Sequence, residues 1–278
     1  MRAAAAQLFA IVFAAAATGF ALASNGPAIV ISGQERWIAG TGLMKGTQVA
    51  ALAGNLTQPG LFILRMKMPA GTKYGPHYHY DTENLTVISG TLWVGVGNNI
   101  DKSTMTALPA GSFVQVPAGL HHYVTTNAMT VIDVTAVGPQ KMILVGKPGG
   151  SVSASAAPKI VMSGHEHWTA GTGVMKGNQV AVLAGNPAKP GLFIVRVKLP
   201  AGTVFRPHYH IQTEDLTVVS GTLWSGLGDR VNAANMTALP AGSFMSIPAM
   251  LHHYVMAKGP TVIELTAMGP LSVIEVKP

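Results

Sequence analysis

GTKYGPHYHYDTENLTVISG (residues 71–90) and GTVFRPHYHIQTEDLTVVSG (residues 202–221) are two versions of one sentence. In each, a leading glycine is followed six residues later by His-x-His, four residues after that by Glu, and seven further on by Gly. His77, His79 and Glu83 occupy these places in the first string, and His208, His210 and Glu214 in the second. Successive side chains of a strand alternate between its faces, so the two histidines of each pair point the same way. A turn at Tyr80-Asp81-Thr82 then brings Glu83, at the head of the next strand, alongside them.

The duplication extends well beyond these strings. Trp37 and Trp168, Gly71 and Gly202, His122 and His253, and Gly138 and Gly269 are each 131 residues apart. The register runs from near Ile31 to the end without insertion or deletion. A period this long exceeds the roughly 20–50 residues of solenoid repeats, so each copy is a whole domain. The expected organisation is a leader over 1–23, a first domain over 24–148, a Gly/Ser/Ala/Pro linker over 149–158 and a second domain over 159–278.

Each unit reads as strands. Leu61 to Met68 and Leu192 to Leu199 are apolar with basic residues at alternate positions, and Leu85-Thr86-Val87-Ile88 is short and β-branched. Pro-Ala-Gly recurs at 69–71, 109–111 and 117–119, with counterparts in the second unit, and marks turns. After the leader no stretch shows a capped helical period. An all-β unit, sandwich or barrel, is expected.

Composition narrows the function. Only 10% of residues are charged and 48% are hydrophobic, which argues against disorder. The net charge is +7, but the lysines and arginines are scattered singly, so no nucleic-acid partner is expected. The absence of cysteine excludes disulfides, thiolate ligands and cysteine nucleophiles. Arg2, the apolar run from Leu8 and the small residues around Ala21-Leu22-Ala23 follow the plan of a secretory signal peptide. The expectation is a periplasmic or secreted protein with no membrane attachment once the leader is cleaved.

A later segment of each unit ends in a histidine pair, His121-His122 and His252-His253, after Gly-Ser-Phe and a proline turn. A fourth ligand from this strand would complete a set of three imidazoles and one carboxylate. Such a set suits one divalent ion (Mn, Fe, Ni, Co or Zn). Four protein ligands on an octahedral ion leave two positions open, which distinguishes a reactive site from a structural one. A lone His-x-His is commonly a solvated surface pair. Two copies at equal spacing, each with a carboxylate and a distant histidine, are not readily reached that way.

These segments resemble the cupin family. Both strings fit its pattern G-x5-H-x-H-x3-E-x6-G in full, and the later segments fit G-x5-P-x-G-x2-H-x3-N with departures. The resemblance implies two tandem cupin jelly-roll β-barrels, a bicupin, with one divalent metal ion per barrel. Its spacing selects His122 over His121 and His253 over His252. The final Asn is replaced by Thr126 and Ala257. Met250 stands where the pattern has Gly, which makes the second site the weaker expectation.

Family resemblance further implies a metal-dependent, dioxygenase-like enzyme acting on a small polar substrate. The alternatives are a non-catalytic binder of a sugar, metabolite or metal, and an oxalate-degrading enzyme. The last ranks lower because Tyr74 and Phe205 stand where oxalate-degrading bicupins carry Arg. Homo-oligomers are compatible with the resemblance, and no catalytic acid or base is identifiable. Of the remaining residues, Arg65 and Arg196 could line the barrel and meet a substrate carboxylate, or face solvent. Arg206, His165 and His167 read as exposed. The four tryptophans read as packing residues, and Asp133 and Glu264 as candidate partners of a ligand imidazole.

Overall fold

The computed structural model describes residues 26–146 and 157–277. The leader expected at 1–23, and most of the linker expected at 149–158, lie outside them. Within the described residues the chain is all-β. Its only helical elements are three single 3-10 turns, Gly42–Met44, Gly173–Met175 and Ala233–Asn235.

Each barrel is a seven-stranded antiparallel sheet facing a five-stranded one. In the first barrel the large sheet centres on Glu83–Ser89, Thr130–Gly138 and Gly60–Met68, and the small sheet on Lys73–Tyr78, His122–Thr126 and Thr91–Val96. Glu214–Ser220, Thr261–Gly269, Gly191–Leu199, Thr203–Tyr209, His253–Ala257 and Thr222–Leu227 repeat this arrangement in the second. The sequence units and the sheets part company at their first strands. Ala28–Val30 pairs antiparallel with Phe244–Ile247 of the second barrel, and Lys159–Val161 pairs with Phe113–Val116 of the first. The two barrels thus exchange strands.

Strand alternation explains why Gly60–Met68 carries almost no exposed residue. Phe62, Leu64, Met66 and Met68 point into the core of the first barrel. Ile63, on the other face, packs with Leu52 and with Phe244 of the second barrel. Phe113, Leu183 and Ile194 form the mirror cluster. Both faces of this strand are therefore buried, one within its barrel and one between barrels.

Arg65 lies on the inter-barrel face and is 0% exposed. It therefore meets neither a substrate nor solvent, the two placements considered from sequence. Its Nε donates to Asp133 Oδ1 at 2.7 Å, and its Nη2 to Oδ2 at 2.9 Å. Nη1 donates to Glu35 Oε1 at 3.0 Å and to the Gly242 carbonyl of the other barrel at 2.5 Å. Burial opposes the charge, but Asp133 and Glu35 more than offset it and raise the guanidinium pKa above its ordinary value. Arg196 repeats the arrangement, donating to Glu264 (3.0 Å), Glu166 (2.7 Å) and the Gly111 carbonyl (2.5 Å). Thr86 donates across the junction to Glu264 at 2.6 Å, and Thr217 to Asp133 at 3.3 Å. Asp133 and Glu264 thus serve the junction and not a ligand imidazole.

Lys67 and Lys198 sit over the rings of Trp37 and Trp168, at 4.3 and 4.5 Å from the ring centroids. His165 and His167 are exposed, as expected, while Glu166 between them turns inward to Arg196.

Met250 is the one non-glycine residue with positive φ among the described residues, at 65°. Its N–H donates to the His210 carbonyl at 2.7 Å, as that of Gly119 does to His79 at 2.8 Å. The turn is kept despite the side chain. A left-handed conformation costs a non-glycine residue about 1–2 kcal/mol. Met250 is 57% exposed, so the side chain recovers little by packing. Met250→Gly is therefore expected to raise stability by about 1 kcal/mol, after allowing for the looser unfolded chain. An unchanged denaturation midpoint would show that the turn stores no strain.

Removing the buried cation should have the opposite effect. Arg65→Met leaves Asp133 charged and buried, and is expected to cost about 3–5 kcal/mol in urea unfolding. The double variant Arg65→Met, Asp133→Leu should lose less than the single one.

Candidate metal centres

Each candidate centre is built from two strands of the small sheet and the head of one strand of the large sheet. His77 and His122 are directly paired across neighbouring strands, as are His208 and His253. Strand alternation alone would place His79 beside His77. The structure does so two residues on, just past the end of Lys73–Tyr78. Glu83 opens Glu83–Ser89 on the facing sheet.

The three imidazoles of the first barrel converge, with one ring nitrogen of each within 4.8 Å of the others. The ring centroids of His77 and His122 are 4.1 Å apart, and those of His79 and His122 5.5 Å. Glu83 completes the cluster, its carboxylate oxygens lying 3.4 Å from His79 Nε2 and 3.5 Å from His122 Nε2. All four residues are buried. His208, His210 and His253 converge likewise, with Glu214 at 3.5 Å from both His210 Nε2 and His253 Nε2. The eight residues singled out from sequence thus come together as two groups of four. Met250, which made the second site the weaker expectation, does not keep His253 from joining its group.

Backbone carbonyls fix the state of the rings. His77 Nδ1 lies 2.8 Å from the Gly75 oxygen, His79 Nδ1 2.9 Å from Lys141, and His122 Nδ1 3.0 Å from Leu120. The partners in the second barrel are Arg206 (2.7 Å), Ser272 (2.5 Å) and Leu251 (3.0 Å). A carbonyl can only accept, so each Nδ1 carries a proton, and in its neutral form each ring presents a bare Nε2 lone pair. The Nε2 atoms of His79, His122 and His210 are buried without any hydrogen-bond partner. A buried polar atom left unpaired is costly, and a lone pair aimed into a cluster of lone pairs calls for a cation. Either triad could hold a metal ion.

The electrostatics keep the donors in the form a metal needs. Burial, with help from His122 and His79, lowers the His77 pKa to about 3, and burial with His253 lowers that of His208 to about 4. Both rings are neutral at physiological pH. Burial alone would raise the Glu83 pKa, but the surrounding imidazoles when protonated, His79 foremost, bring it down to about 2. Glu214 shifts in the same direction, with burial again opposed by His253 and His210. Both carboxylates are ionised.

His121 and His252 stand apart from the triads. His121 Nδ1 is 2.5 Å from Asn98 Oδ1 and its ring lies 5.2 Å from that of Tyr78. His252 pairs with Asp229 at 2.5 Å and stacks on Tyr209. Sequence reasoning missed the carbonyls that orient the rings. Lys141 and Ser272, 62 residues beyond His79 and His210, carry no signal of this role, because any residue has a carbonyl.

A cavity of about 30 Å³ adjoins the second triad, walled by Val174, Val197, Phe205, Ile263 and Val273 among others. No Lys or Arg lines it, and its only ionisable groups are His208, His210, His253 and Glu214.

Residues 64–135 match the cupin domain family. Most of the chain is similar in fold to a variant of salicylate 1,2-dioxygenase from Pseudoaminobacter salicylatoxidans in complex with gentisate. The TM-score is 0.65 at 12% identity, over 91% of this chain and 87% of that one. It is also similar to the oxalate decarboxylase formate complex of Lactobacillus farciminis (TM-score 0.57, 14% identity, 91% and 89% covered). A cupin 2 conserved barrel domain protein from Leptotrichia buccalis gives 0.56 at 12% identity, with 84% and 92% covered. No curated protein sequence matches the chain. With a cupin domain matched in the first unit, a second unit that repeats it in register, and two barrels of the same build, the chain has the fold of a bicupin, two tandem cupin barrels.

Proposed function

We propose that each barrel holds one divalent metal ion, through His77, His79, Glu83 and His122 in the first and His208, His210, Glu214 and His253 in the second. The observation that carries this is the set of rings tied by Nδ1 to backbone carbonyls, with the Nε2 atoms of His79, His122 and His210 buried and unpartnered beside an ionised carboxylate. One carboxylate leaves a divalent ion a net positive charge, with open coordination positions at which substrate can be bound and polarised.

The protein is, on this reading, an exported metal-dependent enzyme of the dioxygenase kind acting on a small substrate. What favours this over oxalate degradation is the lining of the second cavity. Oxalate carries two negative charges, and no Lys or Arg lines the cavity to meet them. Phe205 there is apolar, and in the first barrel Tyr74 is engaged with Thr47 at 3.2 Å. Decarboxylation also requires a proton donor beside the metal. Every ionisable group in the lining is one of the four proposed ligands, so the chemistry that fits is carried by the metal centre itself. The pinned rings and buried carboxylate contribute by holding the ligand geometry without rearrangement.

Metal analysis of the purified protein tests this directly. Two equivalents per chain are expected, falling to one in His122→Ala and in His253→Ala independently. His121→Ala should keep both, since its ring faces Asn98. Protein that cannot be loaded beyond a fraction of one equivalent would overturn the reading, and a lost equivalent in His121→Ala would overturn the ligand assignment. Oxygen uptake with diols, flavonols, thiols and oxalate then separates dioxygenation from the alternatives.

A further inference from the structure

The four proposed ligands are the same residue types in both barrels, but the walls around them are not. Val174, Val197 and Val273 of the second cavity correspond, at the 131-residue offset, to Leu43, Met66 and Met142. Phe205 corresponds to Tyr74. One position runs the other way, with Leu265 against Val134. The balance is three larger aliphatic side chains and one added hydroxyl in the first barrel.

The packing follows the sequence. In the first barrel Met44, Tyr74 and Leu120 are buried in the core, at 7%, 8% and 4% exposure. Their counterparts Met175, Phe205 and Leu251 are only half-buried and sit at the margin of the second core. The Tyr74 ring is also anchored, its hydroxyl donating to Thr47 Oγ1 at 3.2 Å. Phe205 has no such group, and Asn178, at the Thr47 position, instead accepts from Thr203. The second triad therefore adjoins free space, while at the equivalent positions of the first barrel the larger Met66 and an anchored Tyr74 are buried in the core.

We infer that the second barrel is the one that takes substrate, and that the first barrel's centre is closed to it. The inference rests on the metal reading above. By size, the cavity of about 30 Å³ has room for about two water molecules, so the group that enters is a compact one of a few non-hydrogen atoms. By chemistry, its body is apolar, to match the valine, phenylalanine and isoleucine walls, and it presents a single metal-binding donor toward His208, His210 and His253. Val197, Phe205 and Val273 set this specificity by what they leave unfilled.

Ethanethiol, an apolar ethyl group with one sulfur donor, is a suitable probe on the cobalt(II)-loaded full chain. A thiolate bound to cobalt gives a charge-transfer band distinct from the ligand-field bands that report cobalt itself. The band is expected in His122→Ala, which retains the second centre, and not in His253→Ala. In the otherwise unchanged chain, Val197→Met with Val273→Met should keep two cobalt ions yet weaken thiol binding at least tenfold. Met66→Val with Met142→Val should add a second thiol site. Equal bands in the two histidine variants, a band only in His253→Ala, no band in either, or unchanged affinity in the Val→Met variant would each overturn the inference. Absence of ligand-field bands before thiol is added would mark failure of the metal reading itself, and the inference would fall with it.

Discussion

Each barrel presents a buried guanidinium to the other, and neither charge could be buried alone. Taking an ion out of water costs several kcal/mol even after relaxation. Arg65 offsets that cost through Asp133 and Glu35 of its own unit and the Gly242 carbonyl of the other, and Arg196 does the same in mirror image. The junction demands alignment because the donors of one barrel must find fixed acceptors on the other. The exchanged strands Ala28–Val30 and Lys159–Val161 run along the same contact. A bicupin of this build behaves as one body, and the two large sheets, one carrying Glu83 and the other Glu214, are each held from both sides.

That rigidity matters because the candidate centres rely on small tolerances. Four side chains from three strands must converge, and ring orientation decides whether the lone pairs meet. Each ring is oriented by a main-chain oxygen, which no rotamer change can withdraw. The carbonyls of Gly75, Leu120, Arg206 and Leu251 lie two residues before the histidine they hold, so local backbone geometry does the orienting. Those of Lys141 and Ser272 come from the chain's return along the barrel, and link the end of each unit to its centre.

The all-β class and the two His-x-His and Glu strings were legible from sequence because they rest on local regularities, the duplication because its register runs unbroken, and His122 and His253 through the family pattern. Alternation, turn tripeptides and fixed spacing are properties of neighbouring residues. What was not legible depends on what lies across a face. Arg65 and Arg196 alternate with core residues, and a single strand gives only two faces to choose from, interior or solvent. The second barrel supplies a third environment, a buried outer face, and no feature of the strand itself announces it. Asp133 and Glu264 were misread for the same reason. They oppose Arg65 and Arg196 in the strand register, on the face that turns away from the imidazoles.

The internal repeat turns one sequence into a comparison of two solutions to the same problem. Where the residues touch the candidate metal position, the copies agree: His77 with His208, His79 with His210, Glu83 with Glu214, His122 with His253. Where they close the junction they agree in charge, with Asp133 answered by Glu264. Divergence collects one layer further out, at Met66 and Val197, Tyr74 and Phe205, Met142 and Val273. It also appears at Gly119 and Met250, where a strained turn is tolerated because the hydrogen bond that fixes it is kept. Substitutions at the donors would disturb a whole centre, whereas substitutions in the wall change only what fits beside it. Two barrels that share a cage and differ in their walls could hold the same ion and still differ in what fits beside it.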